Sequence, residues 1–453
     1  MGAYGAAAVG VRPTQDASRA AHAEPHWNLA FGAVLGYMFV EYSNLPLMYP
    51  VLQHLQLGRI LLVLCALGLL ISPRLRRERS VSRGIDLTFF VFVLACLLSV
   101  VFARHQTLAW DGLIDVFRWF VIYYVISRTL TNSWRLRIFV FLMLLLNLKM
   151  AQFAIRSYFT ELSWGRSEQF LSQHGVGAGT TTFFGNPGDF GVAMCVVWPL
   201  AGSLLFGETK KLSRLALLGC FTAFLVAILL CGSRGAVVGA TATALAAWGR
   251  NPKRIAGAVM VLFVLLGTYY FLPEASKGRM RSAFHWEEDE TARLRIGLWK
   301  AGWSMFEDHP ILGVGLRNFS PTYQDYTWDR RRLAWAPHSI YVQALSEIGL
   351  AGTLPLLVFW FLFVRLNART RQHLQTLGLG DRRSFEYRLS LGLDLALVGY
   401  LVSGAFLTVL FYPHLWFLLG LTVSLHNACL QKQPEIGCAE LKDQKRKFVL
   451  AAG

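Results

Sequence analysis

The sequence predicts an all-α, polytopic membrane protein of about twelve transmembrane helices. Three observations lead there. Hydrophobic residues make up 54% of the 453 residues and charged residues only 16%. Apolar runs recur along the chain and approach the ~20 residues that a helix needs to cross a bilayer. The positive charge lies in short loops between those runs rather than within them.

In chain order the expected spans are Trp27–Pro50, Leu57–Ser72, Asp86–Ala103, Leu113–Leu130, Leu136–Phe159, Thr182–Gly207, Leu215–Cys231, Gly235–Trp248, Ile255–Leu272, Ser339–Leu366, Leu389–Tyr412 and Leu415–His426. The second, eighth and twelfth are short. Connecting loops orient them. PRLRRERSVSR carries five arginines against one glutamate, and TNSWRLR, ETKKLSR, GRNPKR, the Arg365–Arg388 loop and the Lys-rich tail fall on the same side of the count. Basic loops favour the cytoplasm. Both termini are therefore expected inside. The other side then holds the RHQTLAW turn, the loop 160–181, the tight GSRG turn and one long loop.

The resulting organisation is a cytoplasmic tail over 1–26, a bundle of about nine helices over 27–272, an outer loop over 273–338, a bundle of about three helices over 339–428, and a cytoplasmic tail over 429–453. The N-terminal tail is Ala-rich and runs into the first apolar segment without a cleavage-site pattern, which points to a spanning helix rather than a removable signal. The net charge of +17 follows from the loop pattern, so no nucleic-acid partner is needed to explain it. Most of the seven cysteines sit inside apolar runs. With no CxxC or Cys/His spacing, neither a disulfide framework nor a metal site is expected.

Chemistry concentrates between Thr291 and Gly352. An amphipathic run from Thr291 to Phe306, with Leu294, Leu298, Trp299, Trp303 and Met305 on its apolar side, suits a helix lying on the membrane or against the bundle. Acidic Glu287-Glu288-Asp289-Glu290 precedes it, where carboxylates meet the positive end of a helix dipole. Arg293 and Arg295 lie two apart, so they face different ways, and Arg295, four before Trp299, is the better placed. Arg317 and the triple Arg330-Arg331-Arg332 add positive charge.

Arg234, in Gly232-Ser233-Arg234-Gly235-Ala236 between two apolar runs, either clamps an anion or snorkels to the interface. His338, just after Pro337 where the loop re-enters the membrane, is either a base for an attacking hydroxyl or a cap for the next helix. Glu347, inside that helix, either pairs with a buried base or lines a cavity. Asp111, Asp115, Arg118, Lys149, Asp189 and Asp394 raise the same question.

Taken together, FFGNPGDFGVAM, GSRGA, RIGLWKAGWSMFEDHPILGVGLRNF and PHSIYVQALSEIGLAG resemble, in order and spacing, the O-antigen ligase / O-antigen polymerase superfamily of membrane glycosyltransferases. The motifs reach from about Phe183 to Gly352, and the topology extends the likeness over most of the chain. One departure is Ser339, where the family often has Asn. The resemblance implies a GT-C-like, metal-independent and cofactor-free enzyme of the bacterial inner membrane, with its active site on one long helical periplasmic loop and the adjoining helix ends. The implied donor is a glycan on undecaprenyl pyrophosphate. Arg234 and Arg295 would hold the pyrophosphate and His338 would serve as catalytic base, with Arg293, Arg317 and Glu347 in support.

Guanidinium groups fit that task, because they grip phosphate oxygens bidentately and stay protonated in an apolar setting. The implied acceptor is lipid A-core for a ligase, ranked first, or a growing glycan for a polymerase; transfer to a protein hydroxyl is a third form. A transporter would instead show discontinuous helices and charges in both halves.

Overall fold

The computed structural model describes residues 27–43, 54–71, 83–163, 186–250, 290–327 and 336–431, with positions 49, 52, 259, 262, 266, 267 and 270. Among these residues regular structure is entirely helical: α1 (Leu29–Ser43), α2 (Leu57–Ile71), α3 (Arg83–Val101), α4 (Gln106–Thr129), α5 (Ser133–Ser163), α6 (Pro187–Leu205), α7 (Lys211–Leu230), α8 (Arg234–Arg250), α9 (Glu290–Asp308), α10 (Phe319–Thr322), a 3-10 turn at Tyr323–Tyr326, α11 (Ile340–Thr376), α12 (Phe385–Gly404) and α13 (Pro413–Leu430). Five of them, α3, α5, α6, α7 and α11, are long and apolar enough to cross a membrane, and α1 and α2 are shorter apolar helices. The chain is a multi-pass membrane protein. The expected spans over Leu113–Leu130, Gly235–Trp248 and Leu415–His426 fall on α4, α8 and α13. The span expected over Ile255–Leu272 lies mostly outside the described residues, as do both tails, the loop 164–185, the acidic run at Glu287–Asp289 and the arginines at 330–332.

The bundle has two connected parts. In one, α6 packs on α7 and α12, and α8 closes over α12. In the other, α3 and α13 pack on α4 and α11 around an aromatic core. Phe89 stacks on Trp416 at 5.0 Å and meets Phe359 edge-on at 5.3 Å, offset geometries that suit aromatic quadrupoles. The charges that the sequence leaves in apolar runs have partners here. Fully buried Asp394 on α12 accepts from Arg371 at 2.9 Å and from Asn367 at 3.0 Å. Lys149 on α5 donates to the Ser43 carbonyl at 2.9 Å. The Asp394 carboxylate is tolerated in the interior because it is paired in this way.

Two helix ends differ from expectation, and both matter for the site. The helix after His338 runs on to Thr376 rather than stopping near Leu366, and it is interrupted at Gly349, whose φ is +56° and ψ −161°. The break releases backbone groups that the loop 310–315 takes up. Leu350 and Ala351 donate to the carbonyls of Pro310 and Ile311 at 2.8 and 2.9 Å, while Val314 and Gly315 donate to those of Ser346 and Glu347 at 2.8 and 3.0 Å. Only glycine fits at the centre of this interlock. A Cβ on Gly349 would lie 2.4 Å from the Ile311 oxygen, and one on Gly313, at φ +68°, would lie 2.5 Å from the Glu347 carbonyl carbon.

The helix expected to reach Tyr412 ends instead at Gly404. Pro413 disfavours helical backbone at the residue before it. The backbone turns at Ala405–Leu407, and the Tyr400 hydroxyl donates to the Val409 carbonyl at 3.0 Å, holding the segment 405–412 as an ordered loop.

Candidate functional site

Three short segments converge on the loop 405–412. First, Ser233 caps α8 by accepting from the Ala236 amide at 3.3 Å. That cap sets half-buried Arg234 at the first position of the helix, where the backbone dipole adds to its positive charge. Gly235 beside it admits Phe406, since a Cβ there would sit 3.1 Å from the Phe406 Cβ.

Second, the amphipathic helix α9 buries Leu298, Ala301 and Met305 against Val314, Phe319 and Tyr323. This leaves Arg293 exposed and turns Arg295 inward to a half-buried position. Trp299, one turn on from Arg295, approaches Phe406 with ring centroids 6.4 Å apart and donates to the Pro337 carbonyl at 3.1 Å.

Third, His338 carries a left-handed φ of +49° and donates its amide to the Thr408 hydroxyl at 2.9 Å. The cap of α11 is Ser339, whose side chain accepts from the Val342 amide, so the imidazole is not used as a helix cap. Asn and Ser are both favoured caps, which gives a physical reason for their exchange at this position.

The structure thus brings Arg295 and His338 into one electrostatic environment, while the Gly235 backbone next to Arg234 packs against Phe406, which in turn meets Trp299. Burial, and after it the Arg295 guanidinium, hold the His338 imidazole below its usual range. It is therefore neutral near pH 7, the form that accepts a proton.

Arg317 and Glu347 belong to an adjoining cluster. Arg317 also has a positive φ, +56°, and its guanidinium pairs with Asp115 on α4, which in turn meets Arg118 at 3.5 Å. The same guanidinium lies within electrostatic reach of Tyr412, whose hydroxyl donates to Asp189 at 2.9 Å. Asn186 caps α6 reciprocally, accepting from the Asp189 amide and donating to its carboxylate, both at 3.0 Å. Glu347 is 3% exposed. Gln343 donates to its carboxylate at 3.3 Å, and the amides of Arg317 and Phe319 face it, so it holds the loop 313–319 in place. Asn318 completes that anchorage by accepting from the His105 amide at 2.7 Å.

Thr408, Phe406 and Tyr412 were not candidates from sequence. All three sit in a run that reads as helix, and Pro413 was the one local signal against it. Among the described residues, no group of three His, Cys, Asp or Glu side chains is placed to hold a metal ion.

The site is thus assembled from helix ends over a multi-pass helical bundle. Residues 218–357 match the family described as O-antigen ligase, the superfamily that the sequence motifs resemble. The match runs from α7 to the middle of α11 and takes in Arg234, Arg295, His338 and the interlock at Gly349. No curated protein matches the chain.

Proposed function

We propose that the protein is a glycosyltransferase of the O-antigen ligase type. In this reading it moves a glycan from undecaprenyl pyrophosphate to a hydroxyl of lipid A-core at the periplasmic face of the inner membrane. The observation that carries the proposal is that half-buried His338, its amide held by Thr408, lies within electrostatic reach of Arg295 on the segment that matches the family. His338 takes the proton of the acceptor hydroxyl as its oxygen attacks the anomeric carbon. The bond from that carbon to the diphosphate oxygen breaks, and the configuration inverts.

Arg234 and Arg295 receive the charge that gathers on the departing diphosphate. Stabilisation aimed at a leaving group can be the largest single catalytic contribution, and it requires no Lewis acid. Arg293 is solvent-facing and has at most an auxiliary part. Arg317 and Glu347 act as supports, through the loop that carries them.

The test is a His338→Ala variant in cells lacking the native gene, with lipopolysaccharide and lipid-linked polysaccharide analysed separately. The expected outcome is normal membrane abundance, full-length polymer on the carrier and none on lipid A-core. Ligation at the native level refutes the base assignment. Single repeat units on the carrier, in place of polymer, make the protein a polymerase. Arg234→Lys is also expected to fail, since a point charge cannot replace a bidentate fork. Chelator is expected to leave transfer unchanged.

A further inference from the structure

A polar cavity lies between α1, α2 and α4. It encloses about 260 Å³ and is lined by Tyr37, Glu41, Gln56, Arg59 and Arg118, with Val40, Leu52, Leu57 and Leu62 forming an aliphatic wall. Neither the family resemblance nor the proposed reaction uses these residues. Arg118 shares the Asp115 carboxylate with Arg317, which puts the cavity next to that cluster, with α4 common to both.

The lining is unusual for a helix seam facing lipid. It presents two guanidinium groups and one carboxylate. Glu41 lies beside Gly58 at the start of α2 and within reach of Arg118. Gln56 accepts from Arg59 at 2.7 Å, and both side chains line the cavity. Tyr37 is 3% exposed, and its hydroxyl faces the Glu41 carboxylate. Intramembrane carboxylates and arginines that border a cavity generally mark a ligand path rather than a scaffold.

We infer that this cavity binds the headgroup of a zwitterionic phospholipid, with Arg59 and Arg118 on the phosphate, Glu41 and the Tyr37 hydroxyl on a primary ammonium, and the aliphatic wall along the start of an acyl chain. The argument is complementarity. A purely anionic headgroup leaves Glu41 facing a phosphate with no cation between them. A quaternary ammonium has no N–H to donate to the carboxylate or the phenol. A soluble phosphate ester leaves the aliphatic wall uncovered. A phosphoethanolamine lipid answers all three. This assignment does not rest on the proposed transfer reaction, and its test reads lipid retention rather than turnover.

The experiment is native mass spectrometry of the purified full chain, delipidated and then exposed to equal amounts of phosphatidylethanolamine, phosphatidylcholine and phosphatidylglycerol in detergent. The wild type is expected to retain one phosphatidylethanolamine, with the other two lipids weaker by about fivefold or more. Glu41→Gln is expected to remove the preference over phosphatidylglycerol, and Arg59→Gln to weaken retention of both lipids. Soluble phosphoethanolamine at a concentration equal to the lipid is expected to displace none of it. Equal retention of the three lipids by the wild type, a preference that survives Glu41→Gln, or displacement by the soluble ester at that concentration each overturns the assignment. The wild-type comparison stands even if a variant fails to fold.

Discussion

Helices α6 and α7 are sequence neighbours, similar in length, and both apolar enough to cross a membrane, yet they occupy opposite environments. The most apolar window of α6 is 89% buried within the protein, and that of α7 only 33%. α7 is the more apolar of the two, so hydrophobicity does not explain which one is central. In a bilayer the lipid is as apolar as leucine, and burial is decided by how closely backbones can approach and which polar groups need partners. α6 and its partner α12 carry small residues at their contact. Gly392 packs on Leu200, and Gly399 lies so close to α6 that a Cβ would sit 2.8 Å from the Cys195 carbonyl. α6 also carries Asp189, which Asn186 and Tyr412 satisfy. α7 shows Leu212 and Leu215 outward. The site follows the same division, since it hangs from the ends of the close-packed helices.

The comparison can be tested from its most sensitive point outward. Gly349→Ala should be the most damaging change, because it strains backbone that only glycine tolerates, by at least about 2 kcal/mol, and drives a methyl into the Ile311 carbonyl. The expected result is loss of monodisperse protein in a fluorescence-detected size-exclusion profile, whereas Gly378→Ala, at a similar φ but in open space, should retain most of it. Next, Gly399→Val should separate α12 from α6 at a cost of about 1–3 kcal/mol, read as a lower midpoint in thermal unfolding in detergent.

A smaller effect concerns the site alone. His338 acts when neutral and its imidazole is held below its usual range, so kcat/KM should stay level as pH falls through 6.5, the ordinary histidine value, and decline only below it. Arg295→Gln removes the second cause of that depression. Residual activity in that variant should show its acidic limb moved to higher pH. An unmoved limb would mean that the guanidinium does not act on the imidazole. Last, Leu215→Ala on the outward face of α7 should change stability by no more than about 0.5 kcal/mol, measured in the same unfolding assay. A loss as large as that of Gly399→Val would refute the contrast between the two helices.

Much of this was readable from residues. Runs of apolar side chains located the helices, because backbone polar groups in lipid must be satisfied within the segment. Periodicity placed a helix at 291–306, and α9 is found at Glu290–Asp308. Spacing favoured Arg295 over Arg293, and packing turns the first inward and leaves the second exposed. Other features had no local sign. Gly349 looks like any glycine in an apolar helix, and its left-handed backbone exists because a loop some forty residues earlier supplies the missing hydrogen-bond partners. Thr408 reads as one polar residue in a span, and it becomes the support of His338 only because α12 stops at Gly404.

By itself, then, the amino-acid order determined that the chain crosses a membrane repeatedly, which residues carry charge at the ends of the spans, and which superfamily those motifs resemble. These are properties of short windows, set by transfer free energy and by residue chemistry. Tertiary structure alone decided which apolar helix is central, that a helix opens to accept a loop, and that an imidazole stands beside a guanidinium more than forty residues away. Those outcomes depend on steric fit and hydrogen-bond satisfaction between distant segments, and no single stretch of sequence contains both sides of such a contact.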